Sequence, residues 1–88
     1  MAMPIYESAE DYLEAILVIQ QRKGIVHSID VAEETGFSKA SVSVAMKKLR
    51  ENGYISMDKD GSLKLLAPGK KIAERIWERN RVLTHFFI

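Results

Sequence analysis

Between His27 and Asn52 two short amphipathic stretches are separated by a single glycine, Gly36. Ser28 stands as an N-cap before the first, Ile29 to Glu34, and Gly36 ends it, because glycine takes the left-handed conformation that a helix C-terminus needs. Ser38 caps the second stretch, where Val42, Met46 and Leu49 recur at i, i+4 and i+7 as one stripe to be buried. The opposite face carries Lys39, Ser41, Ser43, Lys47 and Arg50. A short helix, a glycine turn and a longer helix with a small, polar and basic face predict a helix-turn-helix over about residues 28–52. That motif delivers side chains to the major groove of DNA.

The flanking sequence completes the pattern. Ser8 is read as the cap of a first helix running over about residues 8–22. Asp11 follows three positions on, and Leu13, Ile16, Leu17 and Ile19 form its apolar side. Lys23-Gly24 ends it, and Asn52-Gly53 ends the second helix of the motif. Two short alternating runs then surround an Asp60-Gly61 turn, which predicts a two-stranded hairpin, a wing, over about residues 55–66. Pro68 suits the first turn of a last helix over about residues 68–87, through Ile72, Ile76 and Leu83. The fold class is mainly α with a small two-stranded β-wing, a winged helix-turn-helix in one domain over residues 1–88.

Length and composition agree. Eighty-eight residues make one domain, near the lower limit for a self-sufficient core, and 47% are hydrophobic, enough for a folded globule. No apolar run reaches the roughly 20 residues of a membrane span, and the acidic N-terminal stretch is not a signal peptide. The absence of cysteine removes disulfides, thiolate metal sites and cysteine nucleophiles. A cytoplasmic protein follows, with no membrane partner. The net charge of +1 says little, but its distribution is uneven: residues 1–14 hold Glu7, Glu10, Asp11 and Glu14 and no basic residue. The second helix of the motif and the stretch from Lys70 to Arg81 are both basic. No nucleophile, base and acid stand in a recognisable order and no glycine-rich phosphate loop occurs, so the chain is not read as an enzyme.

These residues, in this order, resemble the amino-terminal region of the metal-dependent repressors of the DtxR/MntR family. The likeness lies in Glu10-Asp11-Tyr12-Leu13-Glu14-Ala15-Ile16, Ile29-Asp30-Val31-Ala32-Glu33 and Ser38-Lys39-Ala40-Ser41-Val42-Ser43. It continues through Leu49-Arg50-Glu51-Asn52-Gly53-Tyr54-Ile55 and Leu65-Leu66-Ala67-Pro68-Gly69-Lys70-Lys71-Ile72-Ala73. The resemblance implies sequence-specific binding to double-stranded DNA by a transcriptional regulator. It also implies a homodimer, and control by manganese or iron in a longer parent protein. By position, Asp11 and Glu14 match the manganese-responsive branch, in which both are carboxylates; the iron-responsive branch has a methionine where Asp11 stands. Asn80 falls where the family usually has a ligand histidine, and Thr84 where the iron type has an acidic ligand. The remaining ligands of the family would lie beyond Ile88, so this chain alone is not expected to require a metal.

Each feature has a plainer alternative. A winged helix also serves as a protein-interaction domain without metal control, but such a helix shows large apolar or aromatic groups on its exposed face. Here Ser41 and Ser43 can donate to phosphates or bases, and Lys39, Lys47 and Lys48 can neutralise phosphate. Ala40 and Val44 are small enough to approach a thymine methyl. Ser38, Lys39, Ala40, Ser41, Ser43, Val44, Lys47 and Lys48, with Lys59 at the wing tip, are the candidate DNA-binding residues. Lys59 and Lys64 serve equally well as solubilising lysines. Asp11 and Glu14 serve equally well as first-turn acids that complement the helix dipole. His27 is read as a surface residue, His85 as turned about 100° away from Thr84, and Trp77 as core. Phe86-Phe87-Ile88, with Val82 and Leu83, would be covered by self-association or by further chain.

Overall fold

The computed structural model describes the backbone of residues 3–87 and the side chains of residues 9–79. Four helices and one hairpin follow in order: α1 (Met3–Lys23), α2 (Ser28–Thr35), α3 (Lys39–Glu51), β1 (Ile55–Met57), β2 (Leu63–Leu65) and α4 (Ala67–Phe87).

The helix α1 is the centre of the domain, packing against α4, α2, α3 and β2. Tyr12, Leu13, Ala15, Ile16, Leu17 and Ile19 are all buried, a stripe wide enough to meet neighbours on several sides. The core is closed by Val31 and Ala32 of α2, Val42, Met46 and Leu49 of α3, and Ile55, Leu63 and Ala73. Ile72 and Trp77 pack on its edge, as a core role for Trp77 requires.

Two helix starts differ from the sequence reading. Because α1 begins at Met3, Ser8 lies inside the helix and does not cap it. Pro4 in the first turn is the better start signal, since its missing N–H would have no partner there. The cap of α2 is His27, in extended conformation, and Ser28 is the first helical residue. The reason is Asp30: its carboxylate accepts the His27 backbone N–H at 2.9 Å, the reciprocal half of a capping box. His27 is therefore half-buried at a junction, where a surface position was expected.

The other stops agree with the sequence. Gly36 closes α2 at φ +80° and donates its N–H to Ala32, and Gly53 adopts φ +80° after α3. Ser38 caps α3 by accepting the Ser41 backbone N–H at 3.1 Å. The wing strands pair antiparallel, Ile55 with Leu65 and Met57 with Leu63. At the tip the Gly61 N–H bonds to the Asp58 carbonyl and the Asp58 N–H to the Ser62 carbonyl. This is a three-residue loop with left-handed Gly61 at φ +85°. Leu63 also donates its N–H to the carbonyl of Val26 at 2.7 Å, so the connection between α1 and α2 adds a third, one-residue rung to the sheet.

Candidate nucleic-acid interface

The exposed face of α3 is set by what its other face buries. Val42 and Met46 are 0% and 1% exposed, and at about 100° per residue Val44 lies roughly opposite both. Ala40, Ser41, Ser43, Lys47 and Lys48 share the open side with Val44, and Lys39 and Ser38 stand at its N-terminal end, all exposed. Every residue singled out on this helix as a candidate DNA contact therefore faces solvent. Lys59 is exposed at the wing tip. Among the described residues, none of Lys39, Lys47, Lys48 and Lys59 makes an ion pair, so their charge is available to an anionic partner.

Two contacts orient α3. The ring of Tyr12 on α1 meets Phe37, in the turn before α3, edge-on, with centroids 5.4 Å apart and planes at 69°. At the far end an Arg50 guanidinium nitrogen lies 3.6 Å from the Met57 sulfur on β1. The sequence carried no signal for either, because each depends on chain segments brought together by folding.

The polar groups at the front of α3 are partly spent. The Ser38 hydroxyl accepts from the Ser41 N–H and donates to the Ser41 hydroxyl oxygen at 3.0 Å. The free hydroxyl protons on the open face are then those of Ser41 and Ser43.

The wing is less basic than its lysines imply. Lys64 pairs with Asp58 at 3.2 Å. Asp60 accepts from the Ser62 backbone N–H and from its hydroxyl, which hold its carboxyl below the usual carboxylate range. At the base of the motif, Lys23 of α1 pairs with Asp30 of α2 at 2.9 Å. That bond, helped by the His27 N–H, lowers the Asp30 pKa. Arg22 of α1 pairs with Glu34 of α2 at 2.9 Å, so the two helices are tied twice on one side.

The metal candidates stand differently. Asp11 is exposed and Glu14 half-buried on α1. Since α1 begins at Met3, neither lies in the first turn, which holds no acid at all. The dipole reading of these two residues is therefore set aside, because that effect fades beyond the first turn. The side chains of Asn80, Thr84, His85 and Phe86 to Ile88 lie outside the described residues. No three histidine, aspartate or glutamate side chains gather into a metal-sized cluster among the described residues. Two carboxylates from one helix do not by themselves fit the six-oxygen shell of a hard divalent ion.

Comparison with known proteins gives the same outline. Residues 5–63 match the family described as iron dependent repressor, N-terminal DNA binding domain. The chain is 34% identical over 79 residues to the HTH-type transcriptional regulator MntR of Geobacillus thermodenitrificans (strain NG80-2), a stretch that covers 90% of this chain and 56% of that protein. The MntR of Bacillus velezensis is also 34% identical over 79 residues, with the same coverage. The chain thus spans a little over half the length of these relatives.

Proposed function

The chain belongs to the iron dependent repressor family, whose N-terminal DNA-binding domain it carries, and on that premise we propose that it binds double-stranded DNA with α3 in the major groove. In this reading it is the DNA-reading part of a transcriptional regulator. The observation that carries the proposal is the open face of α3: three lysines without an ion pair, two serines and small apolar groups. No aromatic residue and no carboxylate stands among the named contacts. A protein-docking helix would invert that composition. Lys39, Lys47 and Lys48 neutralise phosphates and set the register, Ser41 and Ser43 donate to phosphate or base edges, and Lys59 adds a phosphate contact from the wing.

The test is the salt dependence of duplex binding. Lys47→Ala should weaken binding to all sequences alike and lower the salt slope by about one unit. Unchanged binding and slope would move the interface elsewhere.

Manganese or iron control belongs to this proposal at the level of a longer parent. Asp11 and Glu14 are the residues of this chain that would contribute to a metal site, with Asn80 in the place of a histidine. The described residues do not complete that site. The proposal also includes a homodimer that places two α3 helices about one turn of DNA apart and so favours palindromic sites. Sedimentation at high concentration tests it. The reading sets this action on DNA in the cytoplasm; among the described residues no helix is long and apolar enough to cross a membrane.

A further inference from the structure

The residue at the crest of the recognition face is a valine. Val44 is 56% exposed, and it sits about 160° and 200° around the helix from the two buried anchors Val42 and Met46. Among the described residues no side chain covers it. Ala40, one turn earlier, lies about 40° to one side, and Lys48, one turn later, about 40° to the other, with Lys47 and Ser41 just beyond. The crest is thus a small apolar strip bordered by cations and one hydroxyl. The side chains that read a base with a planar pair of hydrogen bonds are missing from it: the stretch Lys39 to Lys48 has no Arg, Asn or Gln, and the Ser38 hydroxyl proton is held by Ser41.

We propose that Val44, with Ala40, forms a receptor for the 5-methyl group of a pyrimidine in the DNA major groove. Sequence preference is then set by methyl contact rather than by bidentate hydrogen bonds. The inference rests on the reading of α3 as the major-groove helix and adds to it which chemical group is read. In the major groove the thymine C5-methyl is the only apolar feature that a base pair of unmodified DNA presents. The flanking lysines favour a phosphate-bearing partner over an apolar peptide. Two sources supply the group, thymine and 5-methylcytosine, and they share the contact.

The experiment uses the full chain. Bound duplexes are selected from a random pool, then resynthesised with thymidine or with deoxyuridine, and with cytosine or with 5-methylcytosine. Removing one contacted methyl should weaken binding about fourfold, the effect of re-exposing one methyl-sized apolar group. The pair that shows the difference identifies the source. Val44→Ala should shrink the methyl effect while keeping the salt slope, and it does not threaten the core. Val44→Gln should shift the selected sites toward adenine, which glutamine reads with two hydrogen bonds. Salt-dependent binding with equal affinity for methylated and unmethylated duplexes, or a methyl effect untouched by Val44→Ala, would overturn this inference alone. Absence of salt-dependent binding to any duplex would overturn the DNA-binding reading beneath it as well.

Discussion

Gly69, in the first turn of α4, lies against the backbone carbonyl of Tyr54, the residue that leads into β1. A Cβ at position 69 would overlap the carbonyl oxygen, and it would sit 3.0 Å from the carbonyl carbon and 3.3 Å from Cδ2 of Leu13. The same carbonyl accepts the Leu66 N–H at 2.9 Å. One peptide group therefore closes the wing ladder and seats the start of α4. Gly69 is needed here for lack of room, since its φ is not in the left-handed region.

Gly69→Ala should destabilise the domain by about 1–3 kcal/mol, because the obstacle is backbone and cannot rotate away. Gly24→Ala is the comparison. There the cost comes from φ +87° with open space around it, and about 1 kcal/mol is expected. Urea unfolding of both variants checks the order; equal losses would mean that α4 shifts freely.

Ser38→Ala should cost about 1 kcal/mol by removing the α3 cap. Ser38→Asp should retain that stability, since a carboxylate also accepts the Ser41 N–H. It should nevertheless bind duplex DNA more weakly, because it sets a negative charge beside phosphate. Thermal melts and binding isotherms together separate the two effects.

Asp30 gives a pH dependence. Its folded pKa lies below the ordinary value, first through Lys23 and then through the His27 N–H. The stability it contributes is therefore full above the unfolded carboxylate pKa, about 3.9, and is lost as pH falls below that value. Asp60 titrates in the same sense through its bonds to Ser62. Asp30→Asn should cost about 1 kcal/mol at neutral pH and flatten the stability curve below about pH 4. An unchanged acid limb in this variant would show that the Asp30 junction contributes nothing.

The wing lysines should differ. Lys59→Ala should lower the salt slope of DNA binding by about one unit, whereas Lys64→Ala should barely change it, because Asp58 already holds that ammonium at 3.2 Å. Asp58→Asn should release Lys64 and strengthen binding. Equal slopes for both lysine variants would mean that the Lys64–Asp58 pair opens on DNA.

Manganese calorimetry tests Asp11, Glu14 and Asn80. The chain should bind more weakly than micromolar, Asn80→His should bind more tightly, and Asp11→Ala should lose binding, because an imidazole is a better donor to these ions than an amide oxygen. Micromolar or tighter binding by the unmodified chain would show a more complete site than the described residues make. Identical titrations for all three would leave Asp11 and Glu14 without a metal-binding role.

Much of this was legible in the sequence because it is local. Gly24, Gly36 and Gly53 end helices where their placement predicted, and the i, i+4, i+7 stripe of Val42, Met46 and Leu49 fixed which side of α3 faces outward. Where the reading erred, at Ser8 and Ser28, two neighbouring residues offered competing start signals. Pro4 and the pair His27 and Asp30 prevailed because each leaves fewer unpaired N–H groups. The Tyr12–Phe37 contact, the Gly69–Tyr54 approach and the Val26–Leu63 rung had no local signal, since each joins segments far apart in the chain.

That last rung has a kinetic meaning. A two-stranded hairpin alone is marginal in water, and this one is bonded through Leu63 to the strap between α1 and α2. Leu63 is also buried in the common core. The wing should therefore open together with the core and not on its own. Its Leu63 amide should exchange with solvent deuterium as slowly as the amides of the central helix, because both wait for the whole domain to open. A wing loose enough to search the DNA surface by itself would exchange far faster; in the proposed complex this one would meet the duplex already set in place relative to α3.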